Sequence, residues 1–278
     1  MFHCGRFRFR LDRPLVMGIV NVTPDSFSDG GRHASAEAAI AHGLRLAAEG
    51  ADILDIGGES TRPGATPVPL DEELARVLPV LAGLRDQGVA LSIDTMKPEV
   101  MAAALAAGVD LVNDVNALRA PGALEAVARS NCGVCLMHMR GTPQTMQDAP
   151  EYDDVVAEVE RFLVERMAAA VGAGIDPARL TLDPGFGFGK TTAQNIALFR
   201  ALSRFATRAP VLIGVSRKSL FGKLVGRASG DRGIASVAAA LLAVARGAAI
   251  VRVHDVAATV DALKVQQVLG AADCPPKE

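Results

Sequence analysis

The sequence predicts an α/β chain folded as a single (β/α)8 barrel, a TIM barrel, with a short amphipathic extension at its N-terminus. Three observations carry that expectation. Eight short apolar runs alternate strictly with eight segments of helical periodicity, and eight such units in roughly 250 residues are the mark of this barrel. The apolar runs are near-continuous rather than alternating, as strands buried on both faces must be. Each run also ends in residues that carry charge or hydrogen-bond, at the strand ends where such barrels place their sites. An open doubly wound sheet is the other arrangement that the same alternation allows.

Composition sets the outer limits. The chain has 278 residues, half of them hydrophobic, enough for a large core. Its 29 basic and 31 acidic side chains leave a net charge of -2, which gives no general attraction to nucleic acid or to an anionic membrane. Any anion site must be local. No apolar run reaches the ~18–20 residues of a membrane helix, and the N-terminus lacks an apolar signal-peptide core. Four cysteines, Cys4, Cys132, Cys135 and Cys274, are too few for a disulfide framework in a chain this long and point to a reducing cytoplasm. Cys132 and Cys135 have CxxC spacing but enter a strand, where residues three apart face opposite ways, so they read as two small buried residues.

Taken in order, residues 1–14 form the extension. Phe7, Phe9 and Leu11 alternate with Arg6, Arg8 and Arg10, which suits a short amphipathic strand better than a basic nucleic-acid arm. The barrel spans residues 15–270. Its first strand, from Leu15, runs into the polar loop Asn21–Gly31, NVTPDSFSDGG. A helix from Ser35 to Glu49 stops at Gly50. The strand Ala51–Gly57 leads to a second long loop, Gly58–Pro69, and a helix from Leu70 to Gln87. The strand Val89–Asp94 precedes a helix whose first turn suits Pro98. The strand Leu111–Asp114 precedes a helix near Gly122–Ser130, and Gly133–Met137 precedes a helix from about Asp153 to Ala173. The strand Leu180–Asp183 opens the loop PGFGFGK and a helix from Thr192 to Phe205. The strand Val211–Val215 precedes a looser SRKSLFGK and a helix near Gly233–Arg246. The strand Ile250–Val253 and a helix Val256–Leu269 complete the barrel, and residues 271–278 read as a frayed tail, too short for a further fused enzyme.

Strand alternation orders the polar tips. On the last strand Arg252 and His254 share a face with Ile250, while Val251 and Val253 face the helices. By the same parity Asp55 points inward on the second strand and Asn21 on the first. These strands become neighbours when the barrel closes, so Arg252, His254 and Asn21 are expected close together, with Asp55 paired to Arg252, since a lone buried charge is costly. Arg beside His and Asn suits a phosphate group, and the amide oxygen of Asn21 suits Mg²⁺. Asp94, Asn113 and Asp183 form a second group that could bind a flat heterocycle bearing N–H donors, with Lys218 supplying a long donor. The run ending in Lys190 fails as a phosphate-binding P-loop because Pro184 stands where its first glycine belongs. Thr191 or Thr192 would start the next helix. His138 and His254 lack a third partner for zinc.

Eight runs in order, NVTPDSFSDGG from Asn21, DIGGESTRPG from Asp55, SIDT from Ser92, VNDV from Val112, CLMHM from Cys135, LDPGFGFGK from Leu182, SRKS from Ser216 and RVHDV from Arg252, resemble the dihydropteroate synthase family over Val16 to Val268. The resemblance implies condensation of 6-hydroxymethyl-7,8-dihydropterin diphosphate with 4-aminobenzoate, giving 7,8-dihydropteroate and pyrophosphate in folate synthesis. It implies that Asp94, Asn113, Asp183 and Lys218 hold the pterin, that Thr61, Arg252 and His254 hold the diphosphate with Arg62 nearby, and that Asn21 binds Mg²⁺. Phe27, Pro63 and Ser219 would shape the aminobenzoate pocket, where sulfonamides would compete. Asp94, Lys218, Arg252 and His254 would form the catalytic set. The first two loops would close over the site. Family members are typically cytoplasmic homodimers. Met96 and Asn116-Ala117-Leu118 lie beside these motifs and would tune pocket shape. The rival readings are a methyltetrahydrofolate methyltransferase on the same barrel and a non-catalytic pterin-binding paralogue.

Overall fold

A computed structural model describes residues 1–22, 31–148, 150–226 and 232–270, with residues 31–34, 223 and 225 described by backbone alone. Parity governs the first result. The barrel strands are β3 (Leu15–Asn21), β4 (Ile53–Gly57), β5 (Ala90–Asp94), β6 (Leu111–Asp114), β7 (Gly133–Met137), β8 (Leu180–Asp183), β9 (Val211–Ile213) and β10 (Ala248–Val253). All are parallel and close in the order β10-β3-β4-β5-β6-β7-β8-β9. Closure excludes the open sheet. Val16, Leu54, Val112, Val134 and Val251 pack outward with the helices, whereas Met17, Ile53, Leu111, Cys135 and Ile250 fill the barrel. Cys132 joins the outer layer and Cys135 the inner one, as their spacing requires.

The helices are α1 (Gly31–Ala48), α2 (Leu70–Leu84), α3 (Pro98–Ala106), α4 (Ala123–Ala128), α5 (Val155–Gly172), α6 (Thr192–Arg200), α7 (Leu202–Ala206), α8 (Ser219–Val225), α9 (Gly233–Val244) and α10 (Val256–Gly270). Three depart from expectation. α1 begins four residues before Ser35. The single helix expected over Thr192–Phe205 is broken at Ala201, whose backbone (φ −93°, ψ 10°) leaves the helical region. The SRKSLFGK stretch is not loose throughout but contains α8, which stops at Gly226 in the left-handed conformation. The tail 271–278 lies outside the described residues.

The extension is a hairpin rather than one strand. β1 (Phe2–Cys4) pairs antiparallel with β2 (Phe7–Phe9). The residues that close the N-terminal end of the barrel are Phe2 and Cys4, on the strand too short to show a period, while Phe7 and Phe9 stack on each other at 5.6 Å. The hairpin turns at Gly5 (φ +56°), where a Cβ would meet Asp110 at 2.6–2.9 Å. Asp110, buried in the loop before β6, accepts from the Arg6 backbone and Nε at 3.0 Å, from Arg6 Nη2 at 2.8 Å and from the Leu91 backbone at 3.0 Å. Asp110→Ala would strand buried donors and should cost about 3 kcal/mol in urea denaturation. Arg6→Ala, with the Arg6 side chain half exposed, should cost under about 1 kcal/mol. Equal costs would mean that Asp110 serves only its ion pair.

Candidate active site

The site grows from one buried carboxylate. Asp55 lies on the inward face of β4 with no exposed surface. Ser92 Oγ on β5 donates to its Oδ1, and Asn113 Nδ2 on β6 donates to Oδ2 at 3.0 Å. Arg252 Nε on β10 donates to the same Oδ2 at 2.5 Å, and Arg252 Nη2 donates to Asp94 Oδ2 at 2.7 Å. In register Arg252 faces Met17, whose row continues through Ile53 and Ala90. Its guanidinium therefore extends toward the C-terminal mouth, past Ile53 to Asp55 and past Ala90 to Asp94.

This joins what the sequence divided. Asp55 pairs with Arg252 as expected, but Arg252 also holds Asp94, which strand position alone groups with the ring-binding residues. No hydrogen bond among the described residues links Arg252 or His254 to Asn21; the hydrogen bonds of Arg252 go to Asp55 and Asp94, while its charge acts on His254. The reason is reach: the arginine stem spans from β10 across β3 to β4 and β5, where strand parity alone tells only which side it faces.

Asp94 keeps one oxygen, Oδ1, buried and without a partner among the described residues. Burial raises its pKa to about 7; Arg252 opposes the rise and the Asp55 carboxylate adds to it. Asp183, at the end of β8, accepts from the Gly185 backbone at 2.7 Å, and burial raises its pKa too. Lys218 is half-buried, with its ammonium 4.4 Å from the centroid of the Phe188 ring. Burial lowers its pKa to about 8 against the pull of Asp183. Asp94, Asn113, Asp183 and Lys218 thus meet at one mouth.

Beside them lies an apolar cluster that sequence reasoning passed over. Val115, Met137, Met139 and Met146 pack together, with Met96 and Phe188 against them. Met137 is in register with Asp183. The cluster offers a polarizable wall to a flat ring. Its only sequence signal was position, since methionines at strand ends look like ordinary core.

The anion end is built differently. His254 makes two contacts with Ser216, three residues after β9: its backbone N–H donates to Ser216 Oγ at 3.2 Å, and Nδ1 lies 2.9 Å from the same oxygen. In the tautomer in which Ser216 Oγ donates its hydrogen to Nδ1, Nε2 carries the ring proton and is the donor. Burial and the Arg252 charge lower the His254 pKa to about 4, so the ring is neutral at pH 7. Arg217 holds a left-handed backbone (φ +56°), fixed by its N–H on Ser236 Oγ at 2.8 Å and by two bonds to Asp255 at 3.2 and 2.6 Å. This strained residue sets Ser216 and Lys218 on either side of it, with Ser219 starting α8.

Thr61 is half-buried, and Arg62 and Pro63 are exposed, on the loop between β4 and α2. The charge of Arg62 reaches both Lys218 and His254, which sets the loop over the mouth. Two contacts tie it to the loop after β7: the Gly64 N–H donates to Pro143 O and Gln144 Nε2 donates to Ala65 O, both at 3.3 Å. Its root is held by Lys97, which bonds Glu59 and Glu73 together. Phe27, expected in the aminobenzoate pocket, lies outside the described residues, as does most of the first loop.

Asn21 ends β3 opposite Gly57, and its side chain forms no hydrogen bond among the described residues. One uncharged oxygen fits Mg²⁺ as a partial ligand. No cluster of three His, Cys, Asp or Glu among the described residues is arranged to hold a metal ion, so a cation at Asn21 depends on substrate and water oxygens.

The comparisons with known proteins point to one family. A family described as pterin binding enzyme matches residues 17–254. A dihydropteroate synthase of Neisseria meningitidis serogroup C is 56% identical over 276 residues, covering 97% of this chain and 98% of that protein. The solved structure of Xanthomonas albilineans dihydropteroate synthase with 4-aminobenzoic acid is 63% identical, with a TM-score of 0.90 and 95% of each chain covered. That of Burkholderia cenocepacia dihydropteroate synthase complexed with 7,8-dihydropteroate is 54% identical, with a TM-score of 0.90 over 97% of this chain and 96% of the other. For the site itself, Asp55→Asn should lower stability by about 2–4 kcal/mol, because it leaves Arg252 buried with one anionic partner in place of two. Ser92→Ala should cost only about 1 kcal/mol. Equal losses in urea denaturation would show that Asp55 is not what holds Arg252.

Proposed function

The chain belongs to the dihydropteroate synthase family of pterin-binding enzymes, and on that premise we propose how its own residues carry out the reaction. It is a transferase that condenses 6-hydroxymethyl-7,8-dihydropterin diphosphate with 4-aminobenzoate to give 7,8-dihydropteroate and pyrophosphate. The observation that carries the residue assignment is the buried, unpartnered Oδ1 of Asp94. A buried acceptor of this kind is costly unless a ligand supplies the donor, and the ring N–H groups of a pterin do so. Asn113 and Asp183 bind further ring edges, Lys218 donates to ring acceptors, and the methionine wall takes the ring face.

The Arg252 protons not used by Asp55 and Asp94, with His254 Nε2–H, Thr61 and Arg62, bind the diphosphate. The C–O bond to the pterin methylene breaks with its electron pair leaving on pyrophosphate, and these donors receive the growing charge. Asn21 would hold Mg²⁺, which when bound supplies further charge stabilisation for the leaving group. The carboxylate of Asp94 stabilises the cationic pterin methylene. The neutral amine of 4-aminobenzoate then forms the C–N bond, and its surplus proton passes to pyrophosphate or solvent. No protein nucleophile is required. Pro63, Ser219 and Phe27 bound the amine pocket, where sulfonamides compete, and the loops over the mouth exclude water that would trap the cation.

The chain works as a homodimer. Support comes from Ile234 and Leu242 on α9 and from Val265, Val268 and Leu269 on α10, all more than half exposed on helices that pack together. The α10 trio is spaced i, i+3, i+4, one apolar stripe that a second copy would cover. Three buried unpaired thiols, Cys4, Cys132 and Cys135, support a reducing cytoplasm.

Three measurements test this. Pyrophosphate release should require 4-aminobenzoate and match dihydropteroate formed; Asp94→Asn should lower turnover by about 10²–10³-fold, and wild-type turnover in that variant would refute its role. The profile of kcat/KM against pH should be a bell. Lowering pH through about 7 protonates Asp94 and loses the carboxylate, while raising it through about 8 deprotonates Lys218. Lys218→Met should lower kcat/KM across the range and leave a profile without the alkaline limb, since the group that titrates there is gone. Light scattering should give a dimer mass for the wild type and a monomer mass for Val268→Glu; a wild-type monomer would sink the dimer reading.

A further inference from the structure

The loop that fails as a P-loop has a lysine with no role in the chemistry above. Lys190 is almost fully buried. Its ammonium lies 2.8 Å from the carbonyl oxygen of Phe188, 2.9 Å from that of Gly185, 3.3 Å from that of His138 and 3.0 Å from His138 Nδ1. Three protons are thus shared among four acceptors, all of them protein atoms, and none is left for a phosphate. Burial and the Lys190 charge keep the His138 ring neutral, and with Lys190 protonated Nδ1 is the acceptor and Nε2 carries the ring proton. Its edge-on contact with Phe162, at 4.9 Å between centroids, fixes its plane.

The loop that Lys190 gathers carries one wall of the ring pocket. The Phe188 ring faces the Lys218 ammonium and packs with the methionine cluster. Gly185, Gly187 and Gly189 all have positive φ, so the loop coils tightly, and a Cβ on Gly185 would collide with the His138 carbonyl oxygen. Other groups hold its remaining polar atoms. The Gly187 N–H donates to Asn195 Oδ1 at 2.7 Å, Gln147 Nε2 donates to Gly187 O at 3.0 Å, and the Tyr152 hydroxyl donates to Gly189 O at 2.9 Å. Lys190 is the only one of these groups that binds two carbonyls of the loop and the end of β7 at once.

We propose that Lys190 is a positioning residue for the ring pocket, drawing Gly185, Phe188 and His138 onto one buried ammonium and so holding the Phe188 ring against Lys218. The assignment rests on reading this pocket as the pterin site. A buried cation whose donors point at backbone carbonyls is an internal strut: it ties to the end of β7 a coiled loop whose own backbone supplies one turn hydrogen bond, from the Phe188 N–H to Gly185 O at 3.1 Å.

The test is a double-mutant cycle on Lys190→Met and Phe188→Ala. Binding of 6-hydroxymethyl-7,8-dihydropterin diphosphate with Mg²⁺, without amine, is measured by calorimetry, and both Michaelis constants by pyrophosphate release. Lys190→Met should weaken pterin binding about tenfold or more and raise the pterin KM to match, with the 4-aminobenzoate KM within twofold of wild type. The double variant should bind no more than twofold worse than the weaker single variant. Multiplying effects, or wild-type pterin binding by Lys190→Met, would overturn the proposal. So would a lower melting temperature and turnover with both KM values unchanged, which a purely structural lysine would produce. If Lys190→Met does not fold, Gln147→Ala, at an exposed residue that touches the same loop, should raise the pterin KM several-fold and leave the amine KM unchanged; no change in either overturns the loop's positioning role. A wild-type chain that does not bind the pterin would instead remove the functional reading itself.

Discussion

Arg252 fixed between Asp55 and Asp94 is the interaction on which the site depends. Asp55 has no exposed surface, and a carboxylate placed there alone would be strongly disfavoured. Its partner stands 197 residues away and reaches it only once β10 has closed beside β3. Burial works against the arginine's charge, but the two carboxylates outweigh it and hold the guanidinium pKa above its ordinary value. The pair thus couples closure of the barrel to placement of the chemistry. The same guanidinium that neutralises Asp55 orients one oxygen of Asp94 and leaves the other for a ligand.

The barrel interior is graded along its axis. At the N-terminal end it is apolar and stoppered by Phe2 and Cys4. In the middle Asp55, Ser92, Asn113 and Arg252 satisfy one another. At the mouth the satisfaction becomes incomplete, and that is where Asp94 Oδ1 and the Lys218 ammonium are found. Buried polar groups without partners are rare because they are costly. Among the described residues Asp94 Oδ1 is such a group, and its place beside a methionine wall and under a pinned loop marks the region where substrate completes the network.

Much of this was legible in residues. The alternation of apolar and helical segments foretold eight strands, and period-two parity placed Asp55 and Arg252 on inward faces, where they do meet. Thr191 caps α6 with Gln194 in a reciprocal capping box, as a hydroxyl before a helix should. The P-loop reading failed on one proline, and the structure gives Lys190 its own carbonyls instead. What escaped were features without a period: the three-residue β1, the break at Ala201, the helix α8 inside a stretch rich in charged residues, and the packing of Met137, Met139 and Met146 into one wall with Met96, which the sequence marked only as a residue beside the pocket.

The sequence by itself determined which residues face inward, where the polar tips fall and which family's motifs they compose, because these follow from local periodicity and residue chemistry. The tertiary structure alone decided that the two polar groups are one. Parity gives the direction in which a side chain leaves its strand but not how far it extends, and Arg252 crosses two neighbouring strands to bind Asp94. Which buried donor finds which acceptor depends on strand stagger, side-chain length and the cost of leaving either unpaired, and these are settled only when the barrel is closed.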